Sequence, residues 1–140
     1  MDTTGNQLLN VLKYKPFLIK PNHHELGEIF GTEMDSAEKI TDYAGKLREM
    51  GAVNVLVSRG GDGAVLVDGQ GAVHNAAAVE GKLVNSVGCG DSMVAGFIAG
   101  YIKSGSYTEA LKLSVASSAA TAFSKELAKA DEIDKIYKTL

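Results

Sequence analysis

Between Gly90 and Lys103 the sequence reads GDSMVAGFIAGYIK, apolar around most of the girth of any helix it could form. A helix of that kind is covered by other elements rather than half exposed. Its apolar core, Met93 to Ile102, is about half the length that a bilayer requires, so the cover has to be protein. Gly96 and Gly100 share one face and would let a second backbone come close. This segment therefore predicts a layered fold with a helix held between neighbours.

The rest of the chain supplies candidates for those neighbours. Leu8, Leu9, Val11 and Leu12 fit a short helix after the turn-like Asp2-Thr3-Thr4-Gly5. Phe17-Leu18-Ile19 is a short buried strand ended by Pro21. Asn22 caps a helix with Leu26, Ile29 and Phe30 inside, stopped by Gly31. Ala37, Ile40, Ala44 and Leu47 recur at helical spacing up to Gly51. Val53 to Val57 and Ala64 to Val67 are strands separated by the turn SRGGDG, and Asp68 to Gly71 turns again. Ala72 to Ala76 and Lys82 to Val87 predict two weaker strands. Ser106 to Ser124 is an alanine-rich helix, and Ile133, Ile136, Tyr137 and Leu140 suggest a last one. Helices interleaved with continuous apolar strands predict an α/β layered sheet with helices on its faces. No internal repeat or linker interrupts residues 1–140, and one domain is expected.

Composition excludes several function classes. With 140 residues, 45% hydrophobic and 22% charged, the chain can bury a core. A net charge of −3 without a basic block gives nucleic-acid binding little support. One cysteine cannot form an internal disulfide, which predicts a reducing, cytoplasmic setting. MDTTGNQLLN has no basic region leading into an apolar one, so neither a signal peptide nor a membrane role is expected.

Three short constellations carry chemistry. In NSVGCGDSMVAGF, a strand leads through Gly88, Cys89 and Gly90 into a helix whose first turn holds Asp91. Small residues there let an anion reach backbone N–H groups that have no partner within the helix. A carboxylate repels an anion but can take a proton from a hydroxyl that attacks it. An acid at a helix start is equally explained as a capping or first-turn residue. Cys89 at such a terminus is either a reactive thiol or an inert filler of a small site. The second constellation is S-x-G-x-x-G at a strand end, with Ser58, Gly60, Gly61 and Gly63. It can bring backbone close to a ligand, or be an ordinary hairpin turn. The third is Asn22-His23-His24-Glu25. Asn and Glu three apart are explained by a capping box. Alternatively, Glu25 holds a water of a magnesium–phosphate complex. Adjacent histidines point different ways on a helix, so zinc is a poor reading. No G-x-x-x-x-G-K-[ST], G-x-G-x-x-G or G-x-S-x-G pattern occurs.

Taken in this order, the three constellations resemble the pfkB (ribokinase-like) sugar kinases. NSVGCGDSMVAGF is similar to that family's C-terminal signature. PFLIKPNHHEL and SRGGDGAVLV resemble its 1-phosphofructokinase and tagatose-6-phosphate kinase subgroup. The resemblance implies a ribokinase-like α/β/α fold and ATP-dependent phosphorylation of a ketohexose monophosphate. Fructose 1-phosphate is the first acceptor it suggests, and tagatose 6-phosphate the second. It makes Asp91 the general base, and the N–H groups of Gly88, Cys89, Gly90 and Asp91 the anion hole. Ser58, Gly60, Gly61, Gly63 and Ser117 fall in the nucleotide site, and Asn22 and Glu25 organise Mg2+ through water. Cys89 stands where the family usually has Ala or Ser. The resemblance also implies a C-terminal piece, lacking the sugar-binding half and lid. Such a piece is expected to be inactive by itself and to self-associate or form a homodimer through an uncovered strand edge.

Overall fold

The computed structural model describes residues 5–59, 63–77, 89–122 and 130–140. The chain divides into two compact units, Met1–Ala77 and Ala78–Leu140.

In the first unit, β1 (Leu18–Ile19), β2 (Asn54–Ser58), β3 (Ala64–Val67) and β4 (Val73–Ala76) form one sheet in the order β1-β2-β3-β4. β1 and β2 run parallel, with Leu18 opposite Asn54. α2 (His23–Phe30) and α3 (Ala37–Glu49) connect them; α1 (Gly5–Leu12) precedes β1. β2, β3 and β4 are antiparallel, with Val57 opposite Val65 and Leu66 opposite His74. The sheet is mixed because the two turns are short, and a short turn can return a strand only antiparallel.

Val55, Val57, Val65 and Val67 point to one side, where they pack with Ile19, Leu26, Ile40 and Leu47 into the core of this unit. Leu56 and Leu66, on the opposite face, are buried as well. β2 and β3 are thus covered on both faces, as their continuous apolar runs predict, while β4 alternates exposed and half-buried residues. Asn54 sits at the start of β2 with no exposed surface. Its Nδ2 donates to Phe17 O (2.8 Å) and its Oδ1 accepts from Gly69 N (2.7 Å), tying the entry of β1 to the turn after β3. Arg48 reaches the same turn through Gly69 O, 2.9 Å away.

The second unit contains α4 (Cys89–Ser104), α5 (Tyr107–Ala122) and α6 (Ala130–Tyr137). The two glycines on α4 work as expected: a Cβ on Gly96 would lie 2.7 Å from Leu113 O, and one on Gly100 2.9 Å from Ala110 Cα. Hydroxyls line the same seam. Ser114 Oγ donates to Met93 O (2.8 Å), and Ser92 and Thr121 share a 2.7 Å hydrogen bond. One expectation fails here. α4 is not covered all round: Met93, Gly96, Phe97 and Gly100 are buried, but Ala95, Ile98, Ala99 and Ile102 are exposed. The strand expected over residues 82–87 lies outside the described residues.

Candidate active site

The carboxyl ends of β1 and β2 bring two of the three constellations together. Asn22 forms an isolated bridge with Ser58, and Ser58 N donates to Pro21 O at 3.2 Å. His23 Nδ1 lies 3.4 Å from Ser58 O. The crevice outside the carboxyl ends of parallel strands is where open α/β sheets bind ligands, because helix N-termini and turns converge there.

Asn22 and Glu25 form a reciprocal capping box. Glu25 N donates to Asn22 Oδ1 at 2.8 Å, and Asn22 N donates to Glu25 Oε1 at 3.0 Å. The helix ends on Gly31 in the left-handed conformation, φ 66°, as a C-terminal glycine permits. The structural explanation of Asn22 and Glu25 is therefore realised. It leaves the second Glu25 oxygen, Oε2, outside the box. An open cleft of about 480 Å3 beside this helix is lined by His23, His24, Glu28, Glu33 and Met34. Among the described residues no three His, Cys, Asp or Glu side chains are grouped to hold a metal directly.

Arg59 N donates to Gly63 O at 2.8 Å, closing the turn after β2. Gly63 has φ 96°, and a Cβ there would stand 1.9 Å from Ala76 O, so both conformation and space demand glycine. Gly60 and Gly61 lie outside the described residues.

In the second unit α4 starts at Cys89, with Asp91 exposed in its first turn. Gly90 is half-buried; Gly88 and the side chain of Cys89 lie outside the described residues. Ser117 is 4% exposed, and its Oγ would be 2.5 Å from a Cβ on Gly96. Its side chain packs into the α4–α5 seam, a role that its position in an alanine-rich helix did not signal.

One residue passed unnoticed in the sequence. Lys20 is 4% exposed, two positions before Asn22. A lysine is almost never buried unless it is paired, so its burial directly after β1 is set by its neighbours. The available signal was a cation directly after a buried strand and before a proline.

The mixed sheet with helices has the ribokinase-like architecture. The chain belongs to the pfkB family: the model described as pfkB family carbohydrate kinase matches residues 1–133. It is 54% identical to 1-phosphofructokinase of Bacillus subtilis over 91% of its own length and 42% of that protein. It is 39% identical to D-tagatose-1-phosphate kinase of Bacillus licheniformis, covering 96% of the chain and 44% of the relative. Phosphofructokinase-2 of Escherichia coli, solved in complex with substrates and products, superposes with a TM-score of 0.90 at 29% identity. That match covers 99% of this chain and 46% of the other. The chain thus spans less than half the length of the relatives it matches.

Proposed function

We propose that the chain is the base-bearing and nucleotide-binding portion of a sugar-phosphate kinase that transfers the γ-phosphoryl group of ATP to a ketohexose monophosphate. The observation that carries this reading is the start of α4, which opens at Cys89 and Gly90 with Asp91 exposed in the first turn. Asp91 takes the proton of the attacking hydroxyl as its oxygen bonds to the γ-phosphorus, and the bond to the β-phosphate oxygen breaks to release ADP. The N–H groups of residues 88–91 hold the charge on the transferred group. The turn from Ser58 to Gly63 flanks the nucleotide. Ser117 supports the site through the seam.

Magnesium fits the donor set only through its water shell. Glu25 has one oxygen outside the capping box, and among the described residues no cluster of His, Cys, Asp or Glu is grouped with it, which suits an ion that keeps several waters. When bound, Mg2+ neutralises charge on the phosphates.

The acceptor favoured is fructose 1-phosphate. The names of the two Bacillus relatives share a ketohexose 1-phosphate. Tagatose 1-phosphate is therefore a better second candidate than tagatose 6-phosphate. The test joins this chain to the remainder of the Bacillus subtilis relative and follows bisphosphate formation. Asp91→Asn is expected to lower kcat by about 10²–10⁴ while ATP affinity, measured by equilibrium dialysis, changes little. A variant that keeps a tenth of the parent kcat removes Asp91 from the role of base.

A further inference from the structure

His23 opens α2, directly after Asn22 and two positions before Glu25. Its Nδ1 lies 3.4 Å from Ser58 O, where β2 ends and the turn toward Gly63 begins. Ser58 N donates to Pro21 O. Both backbone polar atoms of Ser58 are thus directed at the two residues that flank Asn22. A carbonyl oxygen only accepts, so this contact assigns a proton to Nδ1 of His23. That proton is carried by one neutral tautomer and by the cation alike. The ring is half-buried, and the exposed His24 lies against it, with centroids 4.0 Å apart and planes tilted by 37°. Adjacency on a helix predicts rings that diverge; here they lie together. The capping box of α2 is complete without His23, and among the described residues no metal-holding group includes it. Neither helix capping nor direct metal ligation accounts for the ring.

We propose that His23 is a positioning residue, which sets the nucleotide turn against the Asn22–Glu25 pair by holding Ser58 O. The inference rests on the kinase reading and adds to it a residue that acts through Ser58. Distance decides when the bond matters. At 3.4 Å it is at the long end for N–H···O, so it contributes little to folding of the free protein. Hydrogen bonds around a reacting site are often long without ligand and tighten once the ligand is bound. In the kinase reading, a nucleotide pulls on the turn after Ser58 while its phosphates and their ion pull on Asn22 and Glu25. These two loads fall on different elements, β2 and α2, and the imidazole resists their separation. The gain therefore appears on binding rather than on folding. Loss of His23 is read in the affinity for Mg·ATP and not in the melting temperature.

The test uses the same joined protein, this chain with the remainder of the Bacillus subtilis relative, and replaces His23 in three ways. Asparagine carries its amide nitrogen on Cγ, where histidine carries Nδ1. Glutamine carries it one carbon further out, nearer the place of Nε2, and leucine has no donor. His23→Leu and His23→Gln are each expected to raise KM for Mg·ATP about 5–10-fold, the span of one hydrogen bond. Their kcat is expected to stay within about twofold of the parent, since the chemical step is untouched. His23→Asn is expected to restore KM to within about twofold. Dissociation constants for Mg·ATP from equilibrium dialysis are expected to follow KM. Melting temperatures of all three ligand-free variants are expected within about 2 °C of the parent. An unchanged KM in His23→Leu overturns the proposal. So does His23→Asn that binds no better than His23→Leu, or a fall in melting temperature that accompanies every rise in KM. Any of these, in a joined protein that makes bisphosphate, leaves the kinase reading intact. A joined protein that binds Mg·ATP with the expected dependence on His23 but makes no bisphosphate defeats the kinase reading and leaves the role of His23 standing. One that binds no Mg·ATP overturns both.

Discussion

Asp68 shows how one buried carboxylate holds a turn. It is 2% exposed. Its Oδ1 accepts from Gln70 N (2.8 Å) and Ala72 N (3.0 Å), and its Oδ2 meets His74 Nε2 at 2.7 Å. Burial alone would push the carboxyl up. The hydrogen bond to His74, the two backbone donors and the His74 charge outweigh it, and the group lies below its ordinary value of 3.8. A carboxylate depressed by folding stabilises the protein above its unfolded pKa and loses that contribution as pH falls through the folded one. The urea midpoint is therefore expected to drop between pH 5 and pH 3, and Asp68→Asn to flatten that drop. At pH 7 the substitution is expected to cost about 1–3 kcal/mol. Parallel losses in both proteins would show that Asp68 contributes nothing to the acid sensitivity.

Elements differ in how openly the sequence announces them. α2 is written in its ends, Asn22, Glu25 and Gly31, and the structure realises all three. β2 and β3 are bounded by turn residues and fall within one residue of their expected limits. The exposed side of α4 was not legible, since its composition predicts cover that the described chain does not provide. Nor was the placement of Ser117, because hydroxyls in a seam look the same in sequence as hydroxyls in a site. Lys20 was hidden for a third reason: burial of a charge depends on neighbours distant in the chain. Helix glycines give an element-scale test with opposite signs. A Cβ on Gly96 meets Ser117 and a backbone carbonyl, whereas one on Gly45, inside α3, meets nothing within 4 Å. Gly96→Ala is expected to destabilise by about 1–3 kcal/mol. Gly45→Ala is expected to stabilise by about 0.5–1 kcal/mol through helix propensity. Thermal melts of the two variants check both signs.

At the scale of the whole molecule, no helix among the described residues is long and apolar enough to cross a membrane. The chain holds Asp91 and the Asn22–Ser58 corner, but covers only 42% of its Bacillus subtilis relative. Phosphoryl transfer needs the acceptor held in line with the γ-phosphorus, and positioning of that kind supplies about 7–11 kcal/mol of barrier lowering. Offered Mg·ATP with fructose 1-phosphate or tagatose 1-phosphate, the 140-residue chain alone is expected to make no bisphosphate at rates near an ordinary kcat of about 1 s⁻¹. Turnover at such a rate would mean that the acceptor is held by residues within this chain.

The capping box of α2 has a consequence for selection. Asn22 and Glu25 hold the first turn of that helix with the same side chains that the kinase reading places at the phosphates. Replacing either therefore lowers stability, by about 1 kcal/mol for a lost cap, before any ligand is considered. An inherited change at these positions is judged twice, once by folding and once by chemistry. A lineage that abandoned catalysis would still be expected to keep the pair, so their persistence is no record of activity. Asp91 is exposed in the first turn of its helix, and among the described residues no hydrogen bond comparable to the capping box holds it, so it is the position freer to drift once catalysis is lost.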